Sequence, residues 1–397
     1  VAVAALAGRA LAGAAPAGPG PAGPGPAGPE PAGPGLAGPG LAGGTPAGPG
    51  LAGRALAARP AVPALAAAAL VLAPLALPAG GWTAPSGPPL SVRLVQGNVA
   101  QDMKFVPERT VAAMADYATR FEAGAAQLTV LPETAWTLPW DRTPEEIARR
   151  VLAHAARGHA IAIGMPLWTD AVPASGAGAA TAPGAGEAEP RIANSVLMIT
   201  PALAAGTGAG PVPRYDKRHL VPFGEFVPWG FGWFVDMMRI PLGDFARGAD
   251  GQPPFEVGGQ RIAFNVCYED LFGEELIGSL HGERGATVLA NVSNIAWFGR
   301  SHALPQHLAI ARMRSLETGR PMLRATNTGT TAAIDGDGRV LAALAPHEAG
   351  SLDVVVQGTT GLTPYARLGN GPALGAALAL LAAAAVAARR GGAGRTR

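Results

Sequence analysis

Cysteine is almost absent from this chain, since Cys267 is the only one among 397 residues. An intrachain disulfide is therefore excluded, and cysteine usage does not indicate the redox compartment. Charge is also sparse: Asp, Glu, Lys and Arg make up only 15% of the residues, and the formal net charge is +2. Because no basic patch interleaved with aromatic residues accompanies this small net charge, we expect no nucleic-acid partner.

Motifs for metals and nucleotides are missing as well. His302 and His307 are five residues apart instead of four, and no HExxH motif occurs. Glycine is abundant, at 56 residues, but no glycine-rich stretch has the strand and helix context of a Walker or Rossmann motif. We therefore expect neither a metal site nor a cofactor.

Residues 1–60 are a low-complexity tract of alanine, glycine and proline. Between residues 16 and 55 the pentapeptide Pro-Ala-Gly-Pro-Gly recurs with variations, and its period of five excludes the period of three that collagen requires. Such a density of proline and glycine cannot hold a helix or pack a core. We predict a flexible or polyproline-like spacer.

Two uncharged stretches flank the rest of the chain. As a helix, residues 61–79 would span roughly 28 Å, about one hydrocarbon core. Residues 371–388 form the second stretch, and the basic tail 389–397 follows it. We predict a transmembrane helix at each stretch, with the tail in the cytoplasm by the positive-inside rule. An apolar linker or signal-like segment is the alternative for 61–79.

Between these flanks, strand-like and helix-like patterns alternate over residues 90–360, which predicts a layered α/β domain. The predicted strands are 91–97, 127–132, 160–165, 192–200, 261–266, 287–292, 322–326, 331–334 and 352–356. The predicted helices are 108–122, 144–156, 271–280 and 304–318. A segment rich in glycine and alanine, 174–190, is predicted to be a surface insertion.

Three reactive side chains follow predicted strands or stand in predicted loops. Cys267 ends the apolar run 261–266, as expected where a strand presents a nucleophile, although an inert core cysteine is the alternative. Glu133 follows the strand 127–132, and Lys217 stands in a loop. A carboxylate can take the proton of a thiol, and an ammonium can favour the thiolate and stabilise an oxyanion. The three suit acyl transfer, although taken singly Glu133 and Lys217 would be ordinary surface residues.

The segments around these residues resemble the Glu-Lys-Cys triad of the nitrilase (carbon-nitrogen hydrolase) superfamily. In their longer stretches they are similar to its apolipoprotein N-acyltransferase branch. The similar segments are 96–104, 217–228, 267–269, 291–299, 306–308 and 324–329. The resemblance covers the region from about residue 90 to about residue 370. It implies a nitrilase-like αββα sandwich, to which the two predicted transmembrane helices would be attached.

The resemblance also implies a mechanism in bacterial lipoprotein biosynthesis. Glu133 would be the general base, Cys267 the nucleophile, and Lys217 the support of the tetrahedral intermediate. The thiol would take an acyl chain from a phospholipid as a thioester and pass it to the N-terminal amine of a diacylglyceryl-cysteine apolipoprotein. Three further residues match supporting positions of the family: Glu225, Tyr268 and Glu269. A solvated loop carboxylate is the alternative for Glu225, and ordinary packing is the alternative for Tyr268.

Aromatic residues concentrate in the loops around these motifs, as is typical of a surface that faces lipid. We expect lipid or substrate contacts from Trp136, Trp229, Trp233, Trp297 and Phe298. The alternative is a loop that packs on its own domain. Together with the predicted spans, the resemblance implies a protein of the bacterial inner membrane, with a periplasmic catalytic domain and with phospholipid and apolipoprotein as partners. We expect a monomer.

The chain departs from the family ahead of the predicted catalytic domain. The family has a bundle of several membrane helices there, whereas this chain offers one good span, 61–79, so we expect a truncated membrane region. Ile295 stands where many relatives have aspartate. Two alternatives stay open: an amidase of the nitrilase superfamily that acts on small amides, and a truncated remnant without a productive membrane region.

Overall fold

The computed structural model describes residues 80–100, 104, 106–169, 191–208, 212–226 and 245–393. Gly80–Pro372 forms one compact unit, and a second unit comprises Val1–Ala79 with Ala373–Arg397. The low-complexity tract, the predicted span 61–79 and the predicted surface insertion 174–190 lie outside the described residues. The predicted domain boundaries stay predictions.

Most of the strands form two six-stranded sheets. The strands are β1 Thr83–Pro85, β2 Leu90–Gln96, β3 Leu128–Val130, β4 Ala160–Trp168, β5 Ile192–Ile199, β6 Arg214–Asp216, β7 Phe255–Val257, β8 Gln260–Val266, β9 Val288–Ser293, β10 Met322–Thr326, β11 Ala332–Ile334, β12 Val340–Ala343, β13 Gly350–Val356 and β14 Thr359–Gly361. The first sheet has the order β13-β2-β3-β4-β5-β6, the second has the order β12-β11-β10-β9-β8-β7, and β1 pairs with β14.

The centre of each large sheet is parallel and its margins are antiparallel. In the first sheet β2, β3 and β4 run parallel, and in the second sheet β8, β9 and β10 do. The helices are α1 Pro107–Glu122, α2 Glu145–Ala156, α3 Pro201–Ala204, α4 Gly273–Ile277, α5 Ala303–Thr318, α6 Pro364–Leu368 and α7 Gly371–Ala393. Parallel neighbours need crossover connections, and α1, α2 and α5 lie in such connections.

Helices and sheets form four layers, which is the predicted αββα arrangement, and the buried side chains form three cores between these layers. Strand β4 illustrates the cause, because successive side chains of a strand point to opposite faces. Ala160 and Ala162 join the core between the two sheets. Ile161 and Ile163 join a second core, under α1 and α2. A third core lies between the second sheet and the helices α5 and α6.

The predicted long elements are present, with ends that differ by a few residues. The prediction missed β1, β6, β7, β12 and β14, which have only three or four residues each. The predicted helix 271–280 is wrong as one element. Instead, the chain forms a 3-10 turn Cys267–Leu271, the short helix α4 and a second 3-10 turn Gly278–Leu280.

The predicted membrane span at 371–388 is not supported. The residues do form a helix, α7. Among the residues that the structure describes, however, no helix combines the length and the apolar character that a membrane crossing requires.

Candidate active site

Each residue of the predicted triad stands just beyond the end of a strand. Glu133 follows β3, Lys217 follows β6 directly, and Cys267 follows β8 directly. The first two come from one sheet and Cys267 from the other, so the site forms only because the sheets pack together. Cys267 has a φ of +53°, which is uncommon for a residue with a side chain and costs of order 1–3 kcal/mol.

The Glu133 carboxylate is buried and accepts hydrogen bonds at both oxygens. Asn194 Nδ2 donates to Oε1 at 2.8 Å, and the backbone N–H of Asn294 donates to Oε2 at 2.7 Å. Lys217 Nζ lies 3.5 Å from Oε1. Burial raises the pKa of this carboxyl, but the Lys217 charge and the two hydrogen bonds outweigh burial, so the pKa lies below its usual value. Glu133 is therefore ionised and can accept a proton.

Lys217 lies between two carboxylates and is only 1% exposed. Besides its contact with Glu133, its Nζ lies 3.0 Å from Oε1 and 2.9 Å from Oε2 of Glu225. Burial lowers the pKa of this lysine, but the charges of the Glu133 and Glu225 carboxylates, with that of Cys267 whenever its thiol is ionised, outweigh burial and raise the pKa above its usual value. Lys217 is thus a permanent cation beside the thiol.

The partly buried Cys267 thiol interacts electrostatically with the Glu133 carboxylate. Desolvation by the surrounding protein raises the pKa of the thiol, the negative charge of Glu133 raises it further, and Lys217 opposes both. The resting pair is therefore a neutral thiol beside an ionised carboxylate. This arrangement suits a nucleophile whose proton leaves as its bond to carbon forms.

Glu269 connects the nucleophile turn, which is the 3-10 turn Cys267–Leu271, to the lysine segment, which comprises residues 217–219. Its carboxylate accepts from the backbone N–H of Val266 at 2.6 Å, from those of Arg218 at 2.7 Å and His219 at 3.0 Å, and from the Tyr215 hydroxyl at 2.9 Å. These bonds hold the residues that precede Cys267 and follow Lys217 to one carboxylate. The contacts match a supporting role for Glu269.

Tyr268 packs within a small aromatic group on the same turn. Its ring lies edge-on to His219, with ring centroids 5.6 Å apart, and edge-on to Phe272 at 5.1 Å. His219 and Phe272 stack at 3.7 Å. Tyr268 therefore helps to pack the lysine segment against the nucleophile turn.

Two polar residues at the site were not identified from the sequence. Asn194 Nδ2 donates to Glu133 and also to Glu225 Oε1, both at 2.8 Å. Lys104, only 4% exposed, donates from Nζ to the Glu133 carbonyl at 3.2 Å, and burial lowers its pKa to about 8. The signal for Asn194 was a polar residue inside the apolar strand β5.

The expected lipid-contacting aromatics divide into three groups. Trp136 is wrong as a surface contact, because it is fully buried in the core under α1 and α2 and stacks on Trp140 at 5.9 Å. Trp229 and Trp233 lie outside the described residues. Trp297 and Phe298 are 74% and 58% exposed.

The exposed pair stands next to the site. Trp297 and Phe298 belong to a 3-10 turn that begins two residues after Asn294, whose N–H binds Glu133.

Within the described residues, no group of three or more His, Cys, Asp and Glu side chains could hold a metal ion.

The sequence of this chain matches a known family over most of its length. A family model for carbon-nitrogen hydrolases matches residues 91–365, and the chain belongs to that family. Apolipoprotein N-acyltransferase of Ralstonia nicotianae is 49% identical over 313 residues, which are 79% of this chain and 55% of the relative. Apolipoprotein N-acyltransferase of Bordetella bronchiseptica is 49% identical over 323 residues, which are 78% of this chain and 56% of the relative. The chain spans about half the length of the curated relatives it matches.

Two solved structures are similar to part of this chain. An amidase of Nesterenkonia AN1 is 19% identical, with a TM-score of 0.44, and the match covers 69% of this chain and 92% of that chain. The NitFhit protein of C. elegans is 16% identical, with a TM-score of 0.46, and the match covers 68% of this chain and 61% of that chain.

Proposed function

We propose that this chain is an apolipoprotein N-acyltransferase, with Glu133, Lys217 and Cys267 as its catalytic triad. The observation that carries the proposal is a partly buried neutral thiol that is coupled electrostatically to a buried ionised carboxylate, Glu133, and a buried ammonium, Lys217. The identity to apolipoprotein N-acyltransferases over most of this chain supports the choice of reaction within the family.

In the first half-reaction, Sγ of Cys267 attacks the carbonyl carbon of a phospholipid ester, and Glu133 takes the thiol proton. The carbonyl oxygen becomes an oxyanion, which the Lys217 ammonium stabilises. Collapse of the intermediate breaks the ester C–O bond. The leaving alkoxide takes the proton back from Glu133, so the products are a thioester on Cys267 and a lysophospholipid.

In the second half-reaction, the neutral α-amine of a diacylglyceryl-cysteine apolipoprotein attacks the thioester carbon. Glu133 accepts a proton from the amine, and Lys217 again faces the oxyanion. Breaking the C–S bond returns the sulfur as a thiolate, which takes the proton from Glu133. The product is an amide, and the two substrates alternate at one site as in ping-pong kinetics.

Both substrates carry acyl chains, so the site must open toward lipid. Trp297 and Phe298 provide an exposed aromatic pair a few residues from the backbone that binds Glu133. Exposed aromatic side chains of this kind insert at the membrane–water interface. We place the reaction at the periplasmic face of the bacterial inner membrane.

The test is mass spectrometry of the intact protein after incubation with phospholipid in mixed micelles. We expect the mass to rise by one acyl group in the wild type, with no rise in Cys267→Ala. Addition of a diacylglyceryl-cysteine peptide should then remove the acyl group from the enzyme and acylate the peptide N-terminus.

A parallel incubation with small amides tests the amidase alternative. Release of ammonia that depends on Cys267, without acyl adduct from phospholipid, would overturn the acyltransferase assignment. An acyl adduct in Cys267→Ala would overturn the assignment of the nucleophile.

A further inference from the structure

A second network of buried polar side chains reaches the nucleophile turn. Asp270 stands three residues after Cys267 and is fully buried. Its Oδ1 accepts a hydrogen bond from His307 Nε2 at 3.0 Å, and its Oδ2 accepts from Arg324 Nη1 at 3.3 Å. Arg324 is also fully buried, so the carboxylate and the guanidinium compensate one another away from water.

His307 closes the network into a ring. Arg324 Nη2 donates to His307 Nδ1, and because a guanidinium has no acceptor, Nδ1 must accept. The proton of the neutral imidazole is then on Nε2, where it can be donated to Asp270. Each of the three side chains is therefore bonded to both others.

The ring continues to the backbone of the nucleophile. Arg324 Nη1 donates to Asn291 Oδ1 at 3.2 Å, and Asn291 Nδ2 donates to the Cys267 carbonyl at 3.2 Å. The same amide group also donates to Asn265 Oδ1 at 2.6 Å. An unbroken chain of hydrogen bonds thus runs from Asp270 through Arg324 and Asn291 to Cys267.

The turn needs such support because of its backbone conformation. The φ of +53° at Cys267 persists only where the surroundings impose it. Glu269 holds the residue before the cysteine, whereas the Asp270 network holds the cysteine's own carbonyl. The network joins the turn to β9 through Asn291, to β10 through Arg324 and to α5 through His307.

We propose that Asp270 is a positioning residue that, together with Arg324, His307 and Asn291, keeps the Cys267 thiol in contact with Glu133 and Lys217. The proposal deepens the acyltransferase function and rests on it for the reaction that benefits. The four residues act through the position of the sulfur, and Asp270 acts in addition through its negative charge, which raises the pKa of the thiol. Removing the Asp270 charge leaves Arg324 uncompensated and releases the turn.

The test measures alkylation of the thiol by iodoacetamide as a function of pH, in the wild type and in Asp270→Asn. Because Cys267 is the only cysteine, alkylation reports on this thiol alone and needs no lipid. In Asp270→Asn, we expect the midpoint of the alkylation profile to move toward the ordinary thiol value of about 8.5, by roughly one pH unit or more. Because the Asp270 charge itself raises the pKa of the thiol, the positioning role also requires a shift in Asn291→Ala, which keeps that charge. We also expect kcat for thioester formation to fall roughly tenfold or more, with KM within about twofold, because positioning acts on the chemical step.

Asp353→Asn is the matched control. Asp353 also pairs with an arginine, Arg93, at 2.5 Å, but this pair lies on the first sheet, away from the nucleophile turn. We expect its alkylation profile and its kcat to equal those of the wild type. Should Asp270→Asn fail to fold, Asn291→Ala removes the last link to Cys267 while Asp270 and Arg324 keep each other, and the same shift in the profile is expected.

Two outcomes separate the proposals. If Asn291→Ala keeps the wild-type alkylation profile and the wild-type kcat per folded molecule, the network has only a structural role and the inference is overturned, whatever the effect of Asp270→Asn. A shifted profile in a protein that forms no thioester would support the positioning role and overturn the acyltransferase function.

Discussion

At the scale of single residues, the site depends on three charges arranged around one thiol. Glu133 and Glu225 are held apart by the Lys217 ammonium and by the amide of Asn194, which donates to both. Each carboxylate oxygen that is buried without a donor would cost free energy. The arrangement therefore keeps a base ionised in a place where burial alone would protonate it.

Glu133→Gln tests the role of this base directly. The substitution keeps the shape of the side chain but removes the proton acceptor, so we expect thioester formation to slow by roughly 10²- to 10⁴-fold. Rapid-quench single-turnover measurements with phospholipid give this rate. Glu122→Gln is the control, because Glu122 pairs with Arg150 between α1 and α2 and should leave the rate unchanged. A Glu133→Gln rate within a few-fold of wild type would exclude Glu133 as the base.

At the scale of elements, the position of Glu133 depends on close contact between β4 and the turn after β3. A Cβ on Gly164 would lie 2.2 Å from the Pro132 carbonyl oxygen and 2.8 Å from the Glu133 Cα. Only glycine allows the turn to pack this near to the strand. The close approach of β4 thus sets the location of the Glu133 carboxylate.

Gly164→Ala should therefore displace Glu133 without touching its chemistry. We expect the free energy of unfolding to fall by about 1–3 kcal/mol through overpacking. Because misplacement of a catalytic group by about 1 Å can cost about a hundredfold, we also expect single-turnover acylation to slow by at least tenfold. Gly278→Ala is the control, since its Cβ would have no heavy atom within 4 Å. Equal rates for the two variants would contradict this account of the turn.

Helix α2 carries a buried histidine that predicts acid sensitivity. His154 is 1% exposed, and burial, with smaller contributions from His159 and Arg157, lowers its pKa from 6.5 to about 4. Between these two values the unfolded chain binds a proton that the folded chain does not, so the free energy of unfolding falls as the pH is lowered through this window. Above pH 6.5 and below pH 4, the folded and unfolded chains bind the same number of protons at His154, so this histidine no longer changes the stability with pH.

His154→Leu should flatten that dependence. Denaturant titrations at pH 7, 6, 5 and 4 would give the slope for the wild type and for the variant, with His302→Gln, an exposed histidine, as the control. We expect the control to retain the wild-type slope and His154→Leu to lose part of it. If the slopes of wild type and His154→Leu coincide, another group causes the acid sensitivity.

At the scale of the whole molecule, the site sits beside an exposed aromatic surface, Trp297 and Phe298. Such exposed apolar side chains mark interaction sites when they stand together. Their position beside the Asn294 backbone places any lipid they bind near Glu133. In the proposed function, lipid recognition therefore belongs to the surface of the assembled sandwich.

The double variant Trp297→Ser, Phe298→Ser tests this surface. Burying a large apolar side chain contributes about 1.5–3 kcal/mol, so losing both should weaken binding to phospholipid vesicles roughly tenfold or more. Co-sedimentation measures the binding, and iodoacetamide alkylation of Cys267 should stay as in the wild type. Leu341→Ser, at a side chain 53% exposed on β12, is the control. Undiminished binding by the double variant would remove these aromatics from the lipid surface.

The sequence predicts a strand or a helix well when the element is long enough to show a regular pattern of apolar residues. The long strands β2, β5, β8 and β13 follow from their apolar runs, whereas β6 and β7 have three residues and no period to detect. Among the aromatics, Trp136 and Trp297 both stand in loops after strands, and the sequence does not distinguish them. Packing under α1 and α2 buries the first, while the second faces solvent.

The sequence by itself determined the layered α/β fold, the strand-end positions of Glu133 and Cys267, and the motifs around these residues and Lys217 that carry the resemblance, because period and motif are local properties. Only the tertiary structure decided which polar side chains complete the site. Asn194, Lys104 and the Asp270 network come from distant parts of the chain. Asn194 and Lys104 contact Glu133 on the side of the first sheet, whereas the Asp270 network lies on the side of the second. Packing of the two sheets brings both groups to one site, and burial then requires each of their charges to find a partner.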